Sequence, residues 1–352
     1  MDVGALETPV VVVDRAAVER NIERMQLYCD SHGLQLRAHV KTHKVPALAH
    51  QQLAAGAVGI ACQKLGEAEV MARAGITEIL VTFPLVGEAK TRRAARLAAS
   101  VALSVTCDSE VAARSLAAAA QAEGVEIGVL IDCDTGLGRT GVQAPEEAVA
   151  LADAVAALSG LRLVGLATHP FDPETDRRLV AAVDAVRGRG HAATLVSGGG
   201  TPQAFRAHES PVLTEVRVGN YVFGDRRGLL AGTHRLEDCA LRVRAMVVSR
   251  PTSTRAVLDA GSKTLTSDPV ASAAVGGFGL VVEYPEAVVA WLSEEHAVVD
   301  LSASADRPVL GEVVTVVPNH ACGVVNLHDS LAFHRDGAEV ELVEVLARGK
   351  VS

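Results

Sequence analysis

The chain has 352 residues, 49% of them apolar, a net charge of -9 and a pI near 5.7. That length holds a large core and more than one domain, and the acidic balance excludes the usual nucleic-acid binders, which need a basic surface. No run reaches the roughly 20 apolar residues of a membrane span, and MDVGALETP lacks the basic and apolar regions of a signal peptide. A cytoplasmic protein with neither a membrane nor a nucleic-acid partner is expected.

The first strand-like run, PVVVVD (9–14), stands ahead of the main pattern and is expected to pair with a later β domain. From residue 34 to about 220, β-rich runs then alternate with Ala-rich stretches of helical length. The runs are QLRAHV (35–40), VGIAC (58–62), EILVTF (78–83), ALSVTC (102–107), IGVLID (127–132), RLVGLA (162–167), AATLVS (192–197) and LTEVRV (213–218). Candidate helices between them include 64–74, 87–99, 109–122 and 145–158. Continuous apolar strands alternating with helices predict a parallel sheet. Eight such units predict an α/β fold, a closed (β/α)8 TIM-type barrel over residues 15–235, with an open doubly wound sheet as the structural rival. From residue 236 to 352, Val-rich segments separated by Gly, Pro and Asp turns predict a mainly β domain, which the first 14 residues are expected to join.

Chemistry-bearing residues fall where a barrel would use them. Lys41 follows strand one, Asp134 and Arg139 follow strand five, and His169 follows strand six. Ser197, Gly198, Gly199, Gly200 and Thr201 follow strand seven, and Tyr221 follows strand eight. Loops after strand C-termini form the catalytic face of such barrels. Lys41 is one of six lysines, and a lysine leaving a dry barrel mouth has the lowered pKa that Schiff-base chemistry needs. A surface lysine capping a strand would leave the same trace. Lys44 reads as a surface or phosphate-proximal charge, and Lys263 in the β domain is the rival cofactor lysine. Successive glycines let backbone N–H groups approach a phosphate, and Tyr221 offers a further hydrogen bond or is simply a partly buried aromatic.

The six cysteines form no CxxC pair, which suits free, mostly buried thiols. Only Cys322, two residues after His320 in PNHACGVVNLHD (318–329), has metal-ligand spacing. In an extended segment the two side chains would share a side, and imidazole with thiolate favours zinc. Two ligands hold a metal only when water or substrate completes the shell, and a loop histidine beside a buried thiol would look alike.

TPVVVVD, RAHVKTHK, GEAE (66–69), SGGGTP, GNYVFGD (219–225), LDAGSKTLTSD (258–268), LSEEH (292–296) and PNHACGVVNLHD together resemble the D-serine dehydratase and D-threonine aldolase family. The match runs from about residue 8 to residue 329. The resemblance implies an alanine racemase-like (fold-type III) barrel plus β domain, pyridoxal 5'-phosphate, a divalent metal such as Zn2+ or Mn2+, a D-amino acid substrate and a homodimer. It implies Lys41 as the Schiff-base lysine, Ser197 to Thr201 with Tyr221 as the phosphate cradle, and Arg139 pointing at the cofactor. His320 and Cys322 would be the metal ligands, and His-x-Cys is the dehydratase form where aldolases more often carry His-x-Asp. The loop after strand six departs from the family pattern: it reads LATHPFDPE, where only His169 offers a side chain comparable to the expected ring neighbour.

The leading expectation is therefore β-elimination on a D-3-hydroxy amino acid, giving a keto acid and ammonia. Retro-aldol cleavage to glycine and an aldehyde is the alternative. Racemisation, which needs a second base, and a non-catalytic cofactor carrier are the further rivals, and the β domain with its His-x-Cys pair counts against the carrier.

Overall fold

A computed structural model describes residues 2–174, 176–270 and 276–352. The chain opens with strand β1 (Val10–Asp14) and helix α1 (Arg15–Ser31). Asp14 caps that helix, its Oδ1 accepting from the Ala16 amide at 2.9 Å. Val18, Ile22, Met25 and Cys29 recur at helical spacing and form the buried stripe.

Eight parallel strands then close into a barrel: β2 (Gln35–His39), β3 (Gly59–Cys62), β4 (Glu78–Val81), β5 (Ala102–Cys107), β6 (Ile127–Cys133), β7 (Leu161–Thr168), β8 (Leu195–Gly199) and β9 (Glu215–Val218). β9 pairs back onto β2, so no edge is left. The crossovers include α2 (Pro46–Ala54), α3 (Leu65–Arg73), α4 (Glu88–Ala98), α5 (Glu110–Glu123), α6 (Pro145–Ala156) and α7 (Arg177–Gly188). Their signals are local. Ser109 caps α5, and Gly124 ends it with a φ of 67°. Pro145 opens α6 at a position where its missing N–H costs nothing. The closed α/β barrel is the architecture expected, and the open sheet is excluded.

Inside this unit, Leu80, Leu130 and Ala167 form a buried apolar cluster, with Val164 and Leu195 packed on it. β6 and β7 change register between Val129 and Leu130. Close by in β7, a Cβ built on Gly165 would lie 1.7 Å from the Leu195 carbonyl oxygen. Backbone in a closed barrel cannot move aside. Gly165→Ala should therefore destabilise the protein by at least about 2–3 kcal/mol, the upper range of overpacking, read as a lowered midpoint in urea.

The other compact unit holds the chain up to Arg24, residues Thr42–Val45 and Asn220–Arg348, and the barrel unit holds Met25–Lys41, Pro46–Gly219 and Gly349–Ser352. It carries the short helices α8 (Arg226–Leu230), α9 (Ser262–Leu265) and α10 (Ala321–Leu327). Its strands are β10 (Leu241–Thr252), β11 (Arg255–Leu258), β12 (Gly279–Val281), β13 (Val288–Leu292), β14 (Ala297–Asp300), β15 (Val313–Pro318), β16 (Ser330–Arg335) and β17 (Ala338–Glu344). They form one sheet ordered β13-β14-β11-β10-β1-β16-β17, with β15 paired to β10 and β12. β1 lies antiparallel to β10 and parallel to β16, so the first strand joins the β domain as expected. No helix among the described residues is long and apolar enough to cross a membrane.

Candidate functional site

In the barrel unit, Lys41 follows β2, Arg139 follows β6, His169 follows β7, and Gly200 and Thr201 follow β8. All leave the C-terminal ends of strands, the face on which barrels place their chemistry. Lys41 is half-buried, and its Nζ donates to Gln63 Oε1 at 3.4 Å. The Gln63 amide is itself aimed by Thr82, whose carbonyl accepts from Nε2 at 2.9 Å. Lys263, the rival, is exposed and held by Glu294 and Glu295 at 2.8 and 2.9 Å, so its ammonium is stabilised and its pKa raised. That environment suppresses the free amine a carbonyl must meet.

His169 is pushed down to about 3, first by burial and then by the charges of Lys41, Arg217 and Arg139. It is therefore a neutral imidazole in a positive environment, and its backbone partner is Gly199. Arg139 is exposed, but its charge reaches both His169 and the half-buried Asp132.

The glycine run has three separate reasons to be glycine. A Cβ on Gly198 would meet Leu213 and Phe171, and one on Gly199 would lie 2.9 Å from His169 Nδ1. Gly200 has a φ of 127°, a region closed to other residues, and it leads into a 3-10 helix, Thr201–Glu209. Ser197 is different from the expectation. It lies inside β8, wholly buried, with its hydroxyl donating to Glu215 and accepting from Arg217 Nε at 2.7 Å. A hydroxyl spent on a buried ion network is not offered to a phosphate, so on this run only the backbone from Gly198 to Thr201 could receive one.

That network escaped the sequence reading. Arg37 donates to Glu215 at 2.8 Å, and Arg217 Nη2 donates to the Thr168 carbonyl at 2.7 Å. Glu215 and Arg217 are both buried, and burial lowers the Arg217 pKa against the opposing charges of Glu215 and Asp132. The signal was charged residues alternating with apolar ones in EVRV (215–218).

In the β unit, His320 and Cys322 are not in an extended segment. His320 is the N-cap of α10 and Cys322 sits in its first turn, because Asp225 Oδ2 accepts from the Ala321 amide at 3.0 Å and starts the helix there. The pair still meets, through a side-chain hydrogen bond. His320 Nδ1 bonds Asp268 Oδ2 at 2.6 Å, which orients the ring. Burial opposes the charged imidazole, but Cys322 and Asp268 outweigh it and hold the pKa near 9. Cys322 is the one half-buried thiol, and Thr42 Oγ1 lies 3.2 Å from its sulfur; Thr42 directly follows Lys41 in the chain. The other five cysteines are buried, three of them pushed up to about 12. Among the described residues no cluster of three or more His, Cys, Asp or Glu side chains forms a complete cage. The donor set fits a metal held by two protein ligands with positions open to water or substrate.

Tyr221 and Lys44 belong to this unit too. Tyr221 is 2% exposed, a core aromatic whose carbonyl lies 3.1 Å from His234 Nε2. Lys44 is no surface charge. It is 5% exposed, and its Nζ donates to the Ala347 carbonyl at 3.4 Å, which the C-terminal segment supplies and local sequence cannot reveal.

The alanine racemase N-terminal domain family matches residues 13–227, and the putative serine dehydratase domain family matches residues 240–334. The D-threonine aldolase of an Arthrobacter species is 35% identical, over 98% of this chain and 93% of its own. The 3-hydroxy-D-aspartate aldolase of Paracoccus denitrificans is 33% identical, over 99% and 94%. D-threo-3-hydroxyaspartate dehydratase, a Delftia enzyme, superposes at a TM-score of 0.88 and 30% identity in two variants, covering 98% of this chain and 96–98% of theirs. One variant replaces a histidine by alanine; the other replaces a cysteine two residues further on and is metal-free.

Proposed function

The chain belongs to the alanine racemase-like family of D-threonine aldolases and D-serine dehydratases, and on that basis we propose that it is a pyridoxal-phosphate- and divalent-metal-dependent lyase of D-3-hydroxy amino acids, acting by dehydration. The observation that carries this reading is the gathering of Lys41, His169 and the Gly198–Thr201 backbone at strand ends of one barrel. When bound, pyridoxal phosphate supplies an electron sink for charge developing at Cα. A divalent metal, zinc in our reading, supplies Lewis acidity toward the β-hydroxyl.

The chain's own groups do the rest. Lys41 Nζ would hold the cofactor and, as a free amine, would be the group placed to take the Cα proton. Gln63 fixes that amine between these steps. The backbone from Gly198 to Thr201 would receive the phosphate, and the N-terminal end of the Thr201–Glu209 turn would add its dipole; Tyr221, buried in the core of the other unit, is left out of that cradle. Arg139 and the neutral His169 line the same mouth, and His169 there accepts or donates a hydrogen bond without adding positive charge. His320 and Cys322 would hold the metal, with Asp268 fixing the imidazole.

Dehydration is favoured over retro-aldol cleavage by the thiol. His320 and Cys322 have the spacing of the histidine and cysteine replaced in the Delftia dehydratase variants, the second of which is metal-free. Retro-aldol cleavage also needs a base for the hydroxyl proton, and His169, pushed down to about 3, is a poor one. Purified enzyme given D-serine, D-threonine and both D-3-hydroxyaspartate diastereomers should release keto acid and ammonia, with little glycine, and leave L-isomers untouched because Lys41 works from one face. Glycine plus aldehyde as the main products would assign the aldolase reaction instead. The proposal includes a homodimer acting in the cytoplasm.

A further inference from the structure

We propose that Arg226 and Arg227 form an anion subsite beside the His320–Cys322 pair, shaped for the distal carboxylate of a dicarboxylic substrate, the D-3-hydroxyaspartate class. This rests on the lyase reading above and names the substrate within it.

Asp225, Arg226 and Arg227 are stitched in turn to the segments that carry the metal pair. Asp225 bonds the Ala321 amide at 3.0 Å. Arg226 Nη1 donates to Asn319 Oδ1 at 3.4 Å, one residue before His320, and to the Gly276 carbonyl at 2.9 Å. Arg227 Nη2 donates to the Pro269 carbonyl at 3.0 Å, one residue after the Asp268 that holds His320. Arg226 is therefore anchored by a neutral oxygen one residue from His320, and Arg227 by one a residue away from Asp268, the partner of His320.

Neither arginine has a carboxylate partner among the described residues. Asp225 is occupied by the Gly228 and Ala321 amides, and Asp268 by His320. Arg226 is only 9% exposed, and burial alone acts on its pKa, downward. A buried guanidinium without an anion is costly and persists where a ligand completes it. Guanidinium N–H groups suit a carboxylate in fork geometry, which an ammonium does not reproduce. Arg227, half-buried, also reaches His320 with its charge. A β-hydroxyl directed at the metal pair places whatever else Cβ carries beside it. For D-serine that is hydrogen and for D-threonine a methyl group, neither of which uses two cations. For D-3-hydroxyaspartate it is a carboxylate.

The test uses holoenzyme, wild type and Arg227→Gln, with Arg226→Lys as the second variant, accepted only if its melting temperature stays within a few degrees. Steady-state kinetics give kcat/KM for D-3-hydroxyaspartate relative to D-threonine, and calorimetry gives the affinity for succinate, a dicarboxylate without the reactive groups. Wild type should prefer the dicarboxylic substrate. In Arg227→Gln the preference should fall at least tenfold, through KM more than kcat, and succinate should bind at least tenfold more weakly. Unchanged preference and unchanged succinate affinity in both variants would overturn the subsite. If no D-3-hydroxy amino acid is turned over, the lyase reading fails on its own. Succinate then decides the subsite: binding lost in Arg227→Gln upholds it, and absence of binding to wild type rejects it.

Discussion

Lys41→Ala should abolish turnover while leaving the protein folded. The loss in kcat should be at least about a thousandfold, because general acid–base catalysis alone contributes some 10²–10⁴-fold and Lys41 is proposed to hold the cofactor as well. The side chain is half-buried at the barrel mouth and its amine makes a long hydrogen bond to Gln63. Removing it makes no large cavity, so the melting temperature should move by only a few degrees. Borohydride treatment of the yellow wild-type enzyme should fix the chromophore to the peptide that contains Lys41, and the variant should not be labelled. Lys263→Ala is the control. That ammonium is exposed and held by two glutamates, so its loss should leave labelling and turnover intact. Chromophore recovered on Lys263 would reverse the assignment.

Chelation should remove turnover almost completely while the cofactor absorbance persists, since the groups proposed to hold the cofactor and those proposed to hold the metal are different residues. Zinc, or manganese, should restore the rate. His320→Ala and Cys322→Ala should not recover at micromolar zinc, because each leaves a single protein ligand where two are already few. Asp268→Asn separates ligation from orientation. It keeps His320 and Cys322 but weakens the 2.6 Å bond to Nδ1, so metal affinity should fall about 10–100-fold, with activity rescued by excess metal. Full activity after exhaustive chelation would remove the metal from the mechanism and bring back the racemase alternative.

The barrel strands, the helices between them and the first strand's place in the β sheet were all legible in the sequence. So were Lys41, His169 and the glycine run at strand ends, since a side chain's position after a strand is a local property. β17 is harder to read, being mostly exposed along its length, which leaves little apolar pattern. The sequence by itself determined the period-two and period-3.6 patterns, the caps, and the residue types that chemistry requires, because these depend on neighbours a few positions away. Only the tertiary structure decided the environments. Ser197 could not be known to face Glu215 and Arg217, nor Lys44 to be covered by Ala347, nor His320 to begin a helix held by Asp225. Each of those contacts joins residues 18 to 303 positions apart in the chain, and the burial and charge they create set whether a side chain is a ligand, a base or part of the core.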